Sequence, residues 1–277
     1  MSNVYYKTAV PKAFEGMMEL ADDLQRFPEK VFVFDCYHLS EDSTLNFFET
    51  LKEKNWLKKH LSSQRQVVVF SQYTATLLKK IYPHSNSVFE VQRPLIDSAY
   101  QPTDEHTRDV TCYRITNGES YFLYRGPIHP AAELKNLLKG FSIFKKKIGS
   151  NMKLILCGTQ SKYSQSFLLE LETYKYKNDI LLIDATNKEE EAAILSAAYA
   201  LIHPCRWERF GFSVLKAMKA GVPVLTVNDS SMAEFTEMAG MYFNEKDPAD
   251  IGDKLIRIYK DEQMRTEMIG TGLLKGL

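Results

Sequence analysis

The sequence predicts an α/β protein of two doubly wound domains, and three observations carry that prediction. Short apolar runs recur along the 277 residues, amphipathic segments of helical period fall between them, and one polar stretch interrupts the alternation. Strand–helix alternation of this kind builds βα units, whose parallel sheets are covered on both faces. The length is close to that of two average domains and suffices for substantial buried cores.

The predicted strands are Val31–Asp35, Val67–Ser71, Ser87–Gln92, Tyr121–Arg125, Lys153–Cys157, Ile180–Ile183, Ala200–His203, Val222–Val227 and Met241–Phe243. Each is β-branched, aromatic or leucine-rich, and most are short. The predicted helices include Glu133–Ile148, Tyr163–Tyr176, Lys188–Ala197, Phe212–Ala220 and Pro248–Lys260. Helix ends support this order. Asp247-Pro248 offers a cap followed by a first-turn proline. Ala220-Gly221 is a helix stop, and Pro223 then begins an extended segment. The stretch 97–119, polar and ending in Asn117-Gly118, reads as the linker. It divides a smaller N-terminal domain, 1–110, from a C-terminal domain, 111–277.

Composition excludes several classes of function. Thirty-five basic residues balance thirty-five acidic ones, so no global attraction to nucleic acid or to an anionic membrane is expected. The first thirty residues carry scattered charges without the apolar core of a signal peptide, and no uncharged apolar stretch reaches transmembrane length. The four cysteines, Cys36, Cys112, Cys157 and Cys205, lack metal or disulfide spacing and read as free thiols of a reducing compartment. A cytoplasmic protein, or one peripheral at the membrane, is expected, with no metal site.

In open α/β sheets, ligands bind beyond the carboxyl ends of the strands. Three segments of the second domain occupy that position. Arg125-Gly126-Pro-Ile-His129-Pro130 lies between a strand and a helix, where glycine lets backbone approach a ligand and a helix start favours an anion. A plain βα turn accounts for the same residues equally well, and His129 alone fits a structural role. Cys157-Gly158-Thr159 repeats the pattern with a hydroxyl donor, although a bare turn suffices there too. The third segment runs from His203 to Val224. Gly211 would expose backbone N–H groups at the start of the following helix, and Glu208 on the preceding loop can accept hydrogen bonds from sugar hydroxyls or merely stabilise the dipole of that helix.

Glu208-Arg-Phe-Gly-Phe-Ser-Val-Leu-Lys-Ala-Met-Lys-Ala-Gly-Val-Pro-Val resembles the signature of GT-B glycosyltransferases of family 4, also called group 1. Tyr121-Phe-Leu-Tyr-Arg-Gly resembles the first strand and turn of that family's donor-binding domain. Lys153-Leu-Ile-Leu-Cys-Gly resembles the second strand, and Asn228-Asp-Ser-Ser-Met-Ala-Glu-Phe the segment after the signature. The resemblance covers 85–277 well and 30–84 loosely.

It implies two Rossmann-like domains of GT-B type, with the C-terminal donor domain nearly complete and the N-terminal acceptor domain reduced. It also implies transfer of a sugar from a UDP-, GDP- or ADP-sugar to a glycan or lipid-linked hydroxyl, with retention and no required cofactor. Polysaccharide, lipopolysaccharide or glycoprotein assembly would be the setting. By this resemblance Glu208 contacts the donor sugar, the backbone of Phe210, Gly211 and Phe212 meets the donor, and Gly126 lies near the diphosphate. The donor-binding set is completed by His129, Gly158, Thr159, Arg209, Ser213 and Lys216.

Departures from the family pattern are specific. Lys216 stands where a second acid is usual, and a lysine cannot accept hydrogen bonds from ribose hydroxyls. Ala131 and Ala132 stand where basic residues are usual, with Lys216, Arg206 and Arg209 as candidate replacements. These departures motivate the alternative of a non-catalytic homologue that acts as a binding subunit with a protein partner or as a homo-oligomer. A Rossmann dehydrogenase ranks third, since no GxGxxG fingerprint follows any early strand and no acid about twenty residues later completes one.

Overall fold

The computed structural model describes residues 31–33, 51, 54–55, 57–59, 61, 66–93, 96–126, 128, 132–158, 164–184, 187–206, 211–228 and 230–275. They belong to two compact units, one ending at Leu95 and the other beginning at Ile96.

The first unit holds a parallel three-stranded sheet in the order β1 (Val31–Val33), β2 (Gln66–Val69), β3 (Val88–Val91). Helix α1 (Gln72–Ile81) follows β2, and the Ser71 hydroxyl caps it by accepting from the Thr74 amide at 3.0 Å. Val67 and Val69 of the central strand join Leu57, Leu61, Ala75 and Leu78 in the core of this unit.

The second unit is a parallel six-stranded sheet in the order β6-β5-β4-β7-β8-β9. Its strands are β4 (Tyr121–Arg125), β5 (Lys153–Cys157), β6 (Ile180–Ile183), β7 (Ala200–His203), β8 (Val224–Val227) and β9 (Gly240–Phe243). The helices are α2 (Glu105–Thr116), α3 (Leu134–Ile148), α4 (Gln165–Leu171), α5 (Lys188–Ser196), α6 (Phe212–Lys219), α7 (Ser231–Thr236), α8 (Pro248–Lys260) and α9 (Glu262–Lys275). Chain order runs outward from β4 in one direction and then, after the α5 crossover, outward from β7 in the other. The order therefore reverses between β4 and β7, where doubly wound sheets open their ligand crevice.

Alternation along β4 sorts the two cores. Tyr121 and Leu123 join Ile194, Leu195, Val214 and Met218 beneath α5 and α6. Phe122 turns to the other face, where its ring meets that of Phe144 on α3 edge-on at 5.2 Å. Both faces of the strand are thus dry, in keeping with its uninterrupted apolar run.

Strands are present at all nine predicted places, with ends moved by at most a few residues, and positions 34 and 35 of the first prediction lie outside the described residues. Asp247 and Pro248 cap α8 as expected, the carboxylate accepting from the Ala249 amide at 2.9 Å. Two expectations are corrected. The predicted helix Tyr163–Tyr176 ends at Leu171, after which Thr173 closes a turn on the Glu170 carbonyl. The stretch 97–119 is not a linker, for it contains α2, and the second unit starts before it at Ile96 rather than near residue 111. This helix buries only Thr111, Cys112 and Thr116, so its sequence carries little apolar periodicity. Its ends define it instead: Asp104 accepts from the Thr107 amide at 2.8 Å, and Asn117 closes the helix in the left-handed conformation. Cys112, Cys157 and Cys205 are buried and form no disulfide among the described residues, and Cys36 lies outside them.

Candidate functional site

The carboxyl edge of the second sheet brings two of the predicted segments together at the crevice between β4 and β7. Gly126 follows the last residue of β4, and its amide donates to the Cys157 carbonyl at 3.0 Å, extending the ladder to β5. A Cβ at this position would stand 2.6 Å from the Tyr124 hydroxyl oxygen, so the turn admits no side chain. On the other side of the crevice Gly211 opens α6 with φ of 65°, and a Cβ there would overlap the Phe235 ring. The first intrahelical bond is Leu215 amide to Gly211 carbonyl at 2.9 Å. The amides of the first turn therefore face out of the helix end, where the macrodipole is positive.

A hydrogen bond ties the two segments. The Ser213 hydroxyl, in a nearly fully buried residue, donates to the Arg125 carbonyl at 3.5 Å. A further bond, from the Ser164 hydroxyl to the Ile128 carbonyl at 2.7 Å, fastens the Gly126 turn to the start of α4. Gly158 lies one strand away, and its amide is engaged by the Ile183 carbonyl at 2.9 Å, as a plain ladder extension requires. Phe212 is buried.

Lys216, the departure from the signature, is 2% exposed. Its ammonium lies 3.1 Å from the Glu191 carboxylate and 4.4 Å from the centroid of the buried Tyr100 ring. Glu191 also accepts from the Arg125 guanidinium at 2.7 Å and from the Tyr100 hydroxyl at 2.8 Å. Burial pushes the Glu191 carboxyl up, but the charges of Arg125 and Lys216 and the bonds from Arg125 and Tyr100 outweigh it and hold its pKa at about 2.

A second charged fork braces the outer loops. Arg206, after β7, grips the buried carboxylate of Glu245, after β9, through Nε at 2.6 Å and Nη2 at 3.2 Å. Its Nη1 donates to the carbonyl of Asn228, after β8, at 3.4 Å. Arg206 is thereby committed to protein partners. Ala132, where the family pattern has a basic residue, is fully buried.

Glu208, Arg209, Phe210, His129, Thr159 and Ala131 lie outside the described residues. Sequence reading passed over Arg125 as a side chain, Glu191, Tyr100 and Glu245. The one signal available for Glu191 was indirect: a lysine in place of an acid, inside a buried helix, requires a carboxylate from elsewhere. Among the described residues no His, Cys, Asp and Glu side chains group as a metal site, and no helix is long and apolar enough to cross a membrane.

The model of the family described as glycosyl transferases group 1 matches residues 111–273, well over half of the chain. This chain belongs to that family. A curated relative, the O-antigen chain mannosyltransferase B of Escherichia coli, is 24% identical over 155 residues, 56% of this chain and 41% of its own length. The chain spans less than half the length of the curated relatives it matches. Two solved structures show the fold of this group 1 chain. The lipopolysaccharide glycosyltransferase WaaG aligns with a TM-score of 0.73 at 16% identity, over 90% of this chain and 70% of its own. HepE of Anabaena, in complex with UDP and glucose, aligns with a TM-score of 0.76 at 15% identity, over 93% and 69%. The architecture is that of the GT-B glycosyltransferases.

Proposed function

We propose that this group 1 glycosyltransferase moves a sugar from a nucleotide diphosphate sugar to a hydroxyl of a growing glycan or lipid-linked acceptor, with retention and without a required metal. The observation that carries the reading is the Ser213–Arg125 contact, which sets the start of α6 against the Gly126 turn where the strand order reverses. An anion lying there would meet the positive end of the α6 dipole and outward-facing backbone amides. Transfer leaves a nucleotide diphosphate, so negative charge develops where those dipoles are already oriented. Glu208, three residues before Gly211, is the acid we assign to the sugar hydroxyls, and Phe210 and Gly211 to the donor backbone contact. Mannosyl transfer is favoured by the mannosyltransferase relative, and glucosyl transfer is the comparison case, since a structural neighbour is solved with UDP and glucose. We place the reaction in polysaccharide or lipopolysaccharide assembly in the cytoplasm.

A thermal-shift titration with UDP, GDP, ADP and their mannosyl and glucosyl conjugates tests this. A ligand at 100 times its Kd adds about 2.7 kcal/mol to the native state. For a chain of this size that amounts to a rise of about 2–4 °C per kcal/mol. A shift selective for one base, reduced in Glu208→Ala, is expected. No shift with any of them at millimolar concentration would overturn the donor-site reading.

A further inference from the structure

We propose that Glu191 is a positioning residue of the donor site, the anchor that fixes both walls of the β4–β7 crevice. The inference rests on the donor-site reading above. Glu191 sits in the first turn of α5, the helix that carries the chain across the point where strand order reverses. Its carboxylate collects donors from three separate places: Arg125 at the end of β4, Lys216 on α6, and Tyr100 ahead of α2. Arg125 immediately precedes the Gly126 turn, and its carbonyl takes the Ser213 hydroxyl from the start of α6. One carboxylate thus determines where the β4 turn and the α6 start lie with respect to each other.

The segment 96–100 is seated on the same helices. Asp97 pairs with Lys188 of α5 at 2.7 Å, and the ammonium of Lys219 on α6 donates to the Ile96 carbonyl at 3.0 Å. Tyr100, fully buried, completes the packing with its ring beneath Lys216. The cluster therefore joins β4, α5, α6 and the segment 96–100 through several contacts rather than one pair.

Stability alone does not account for such a group. Burying charges costs desolvation that their attraction offsets only in good geometry, and apolar side chains of similar volume commonly hold a fold as well. Apolar side chains cannot fix the direction of a guanidinium or the peptide that follows it, and a planar fork does.

The experiment measures affinity for UDP, GDP and ADP by calorimetry on the full chain, together with the melting temperature, in wild type, Glu191→Gln, Glu191→Asp and the double variant Glu191→Gln/Lys216→Met. Glu191→Gln leaves two cations around a neutral amide and is expected to melt lower and bind at least tenfold more weakly. The double variant removes one of those cations and is expected to regain melting temperature while its binding stays at least tenfold weak. Recovery of both together would mean that Glu191 acts only on stability, and would overturn the proposal, as would wild-type affinity in Glu191→Gln. Glu191→Asp keeps the charge but shortens its reach. Weakened binding at near wild-type melting temperature there supports positioning, and unchanged binding opposes it, which decides the matter if the other variants do not fold. Wild type that binds none of the three nucleotides defeats the donor-site reading itself. Wild-type binding that is indifferent to Glu191 defeats only this inference.

Discussion

Glu191 and Glu245 are both carboxylates at the carboxyl edge of one sheet, and each holds an arginine, yet they are built differently. Glu191 gathers an arginine, a lysine and a tyrosine from three elements around the crevice itself. Among the described residues Glu245 is held by the Arg206 guanidinium, which also reaches the loop after β8 and so braces β7, β8 and β9 along the outer half of the edge. At the first anchor two cations, 16% and 2% exposed at their side chains, meet one carboxylate. At the second the arginine remains 26% exposed at its side chain, and water shares its solvation. The contrast teaches that the lysine at position 216 is not an isolated loss of an acid. Its charge belongs to a group whose carboxylate stands on the neighbouring helix.

That difference can be broken in graded steps. The largest effect is expected for Glu191→Gln, which removes the charge that Lys216 and Arg125 both approach and should lower unfolding free energy by about 3–5 kcal/mol. Denaturant unfolding at neutral pH measures it, and a loss below that of Glu245→Gln would reverse the ranking of the two anchors.

The next step is acid. The Glu191 pKa lies at about 2 against an ordinary 4.5, so ionisation favours the folded state by roughly 3 kcal/mol at 1.36 kcal/mol per unit. Because the folded value is the lower one, this contribution is complete above the unfolded pKa and is lost as pH falls through the folded one. The stability gap between wild type and Glu191→Gln should therefore be full near pH 6, shrink below about 4.5 and close near 2. A gap that stays flat between pH 5 and 3 would show that the ionised carboxylate is not the source.

Glu245→Gln comes third, since it leaves a partly solvated arginine with a weaker acceptor, and a loss of about 1–3 kcal/mol is expected. The same urea series provides the reading. The smallest effect serves as the baseline. Lys147 and Asp253 form a 3.1 Å pair on the surface, and Lys147→Ala should change stability by less than about 0.5 kcal/mol. A larger effect there would mean that exposed pairs matter in this protein as much as buried ones.

Much of the second unit was legible because its four inner strands, β5, β4, β7 and β8, are buried on both faces and therefore written as largely apolar runs. The motif residues Gly126 and Gly211 were legible for a related reason, since each position admits only glycine for steric causes that hold with or without a ligand. Helix α2 was not legible, because it buries a narrow, partly polar face and depends on its caps. Glu191 was hidden by distance along the chain. Its partners stand 66, 91 and 25 residues away, and no local pattern announces them. Arg206 was read as a candidate for the diphosphate, but Glu245, on a different βα loop, claims it. Glu208, the acid proposed for the donor sugar, lies outside the described residues, and its assignment rests on the signature in the sequence.

The most direct measurement is photo-crosslinking with azido derivatives of UDP and GDP, with the labelled peptides mapped by mass spectrometry. The account predicts saturable labelling within the loops that follow β4, β5, β7 or β8, suppressed by the unmodified nucleotide. An open cavity of about 440 Å³ at the opposite edge, lined by Gly118, Ser150, Tyr199 and Tyr259, provides the internal control. Competable labelling at 117–120 or 149–152, with none at the carboxyl edge, would contradict the assignment of the donor to the β4–β7 crevice.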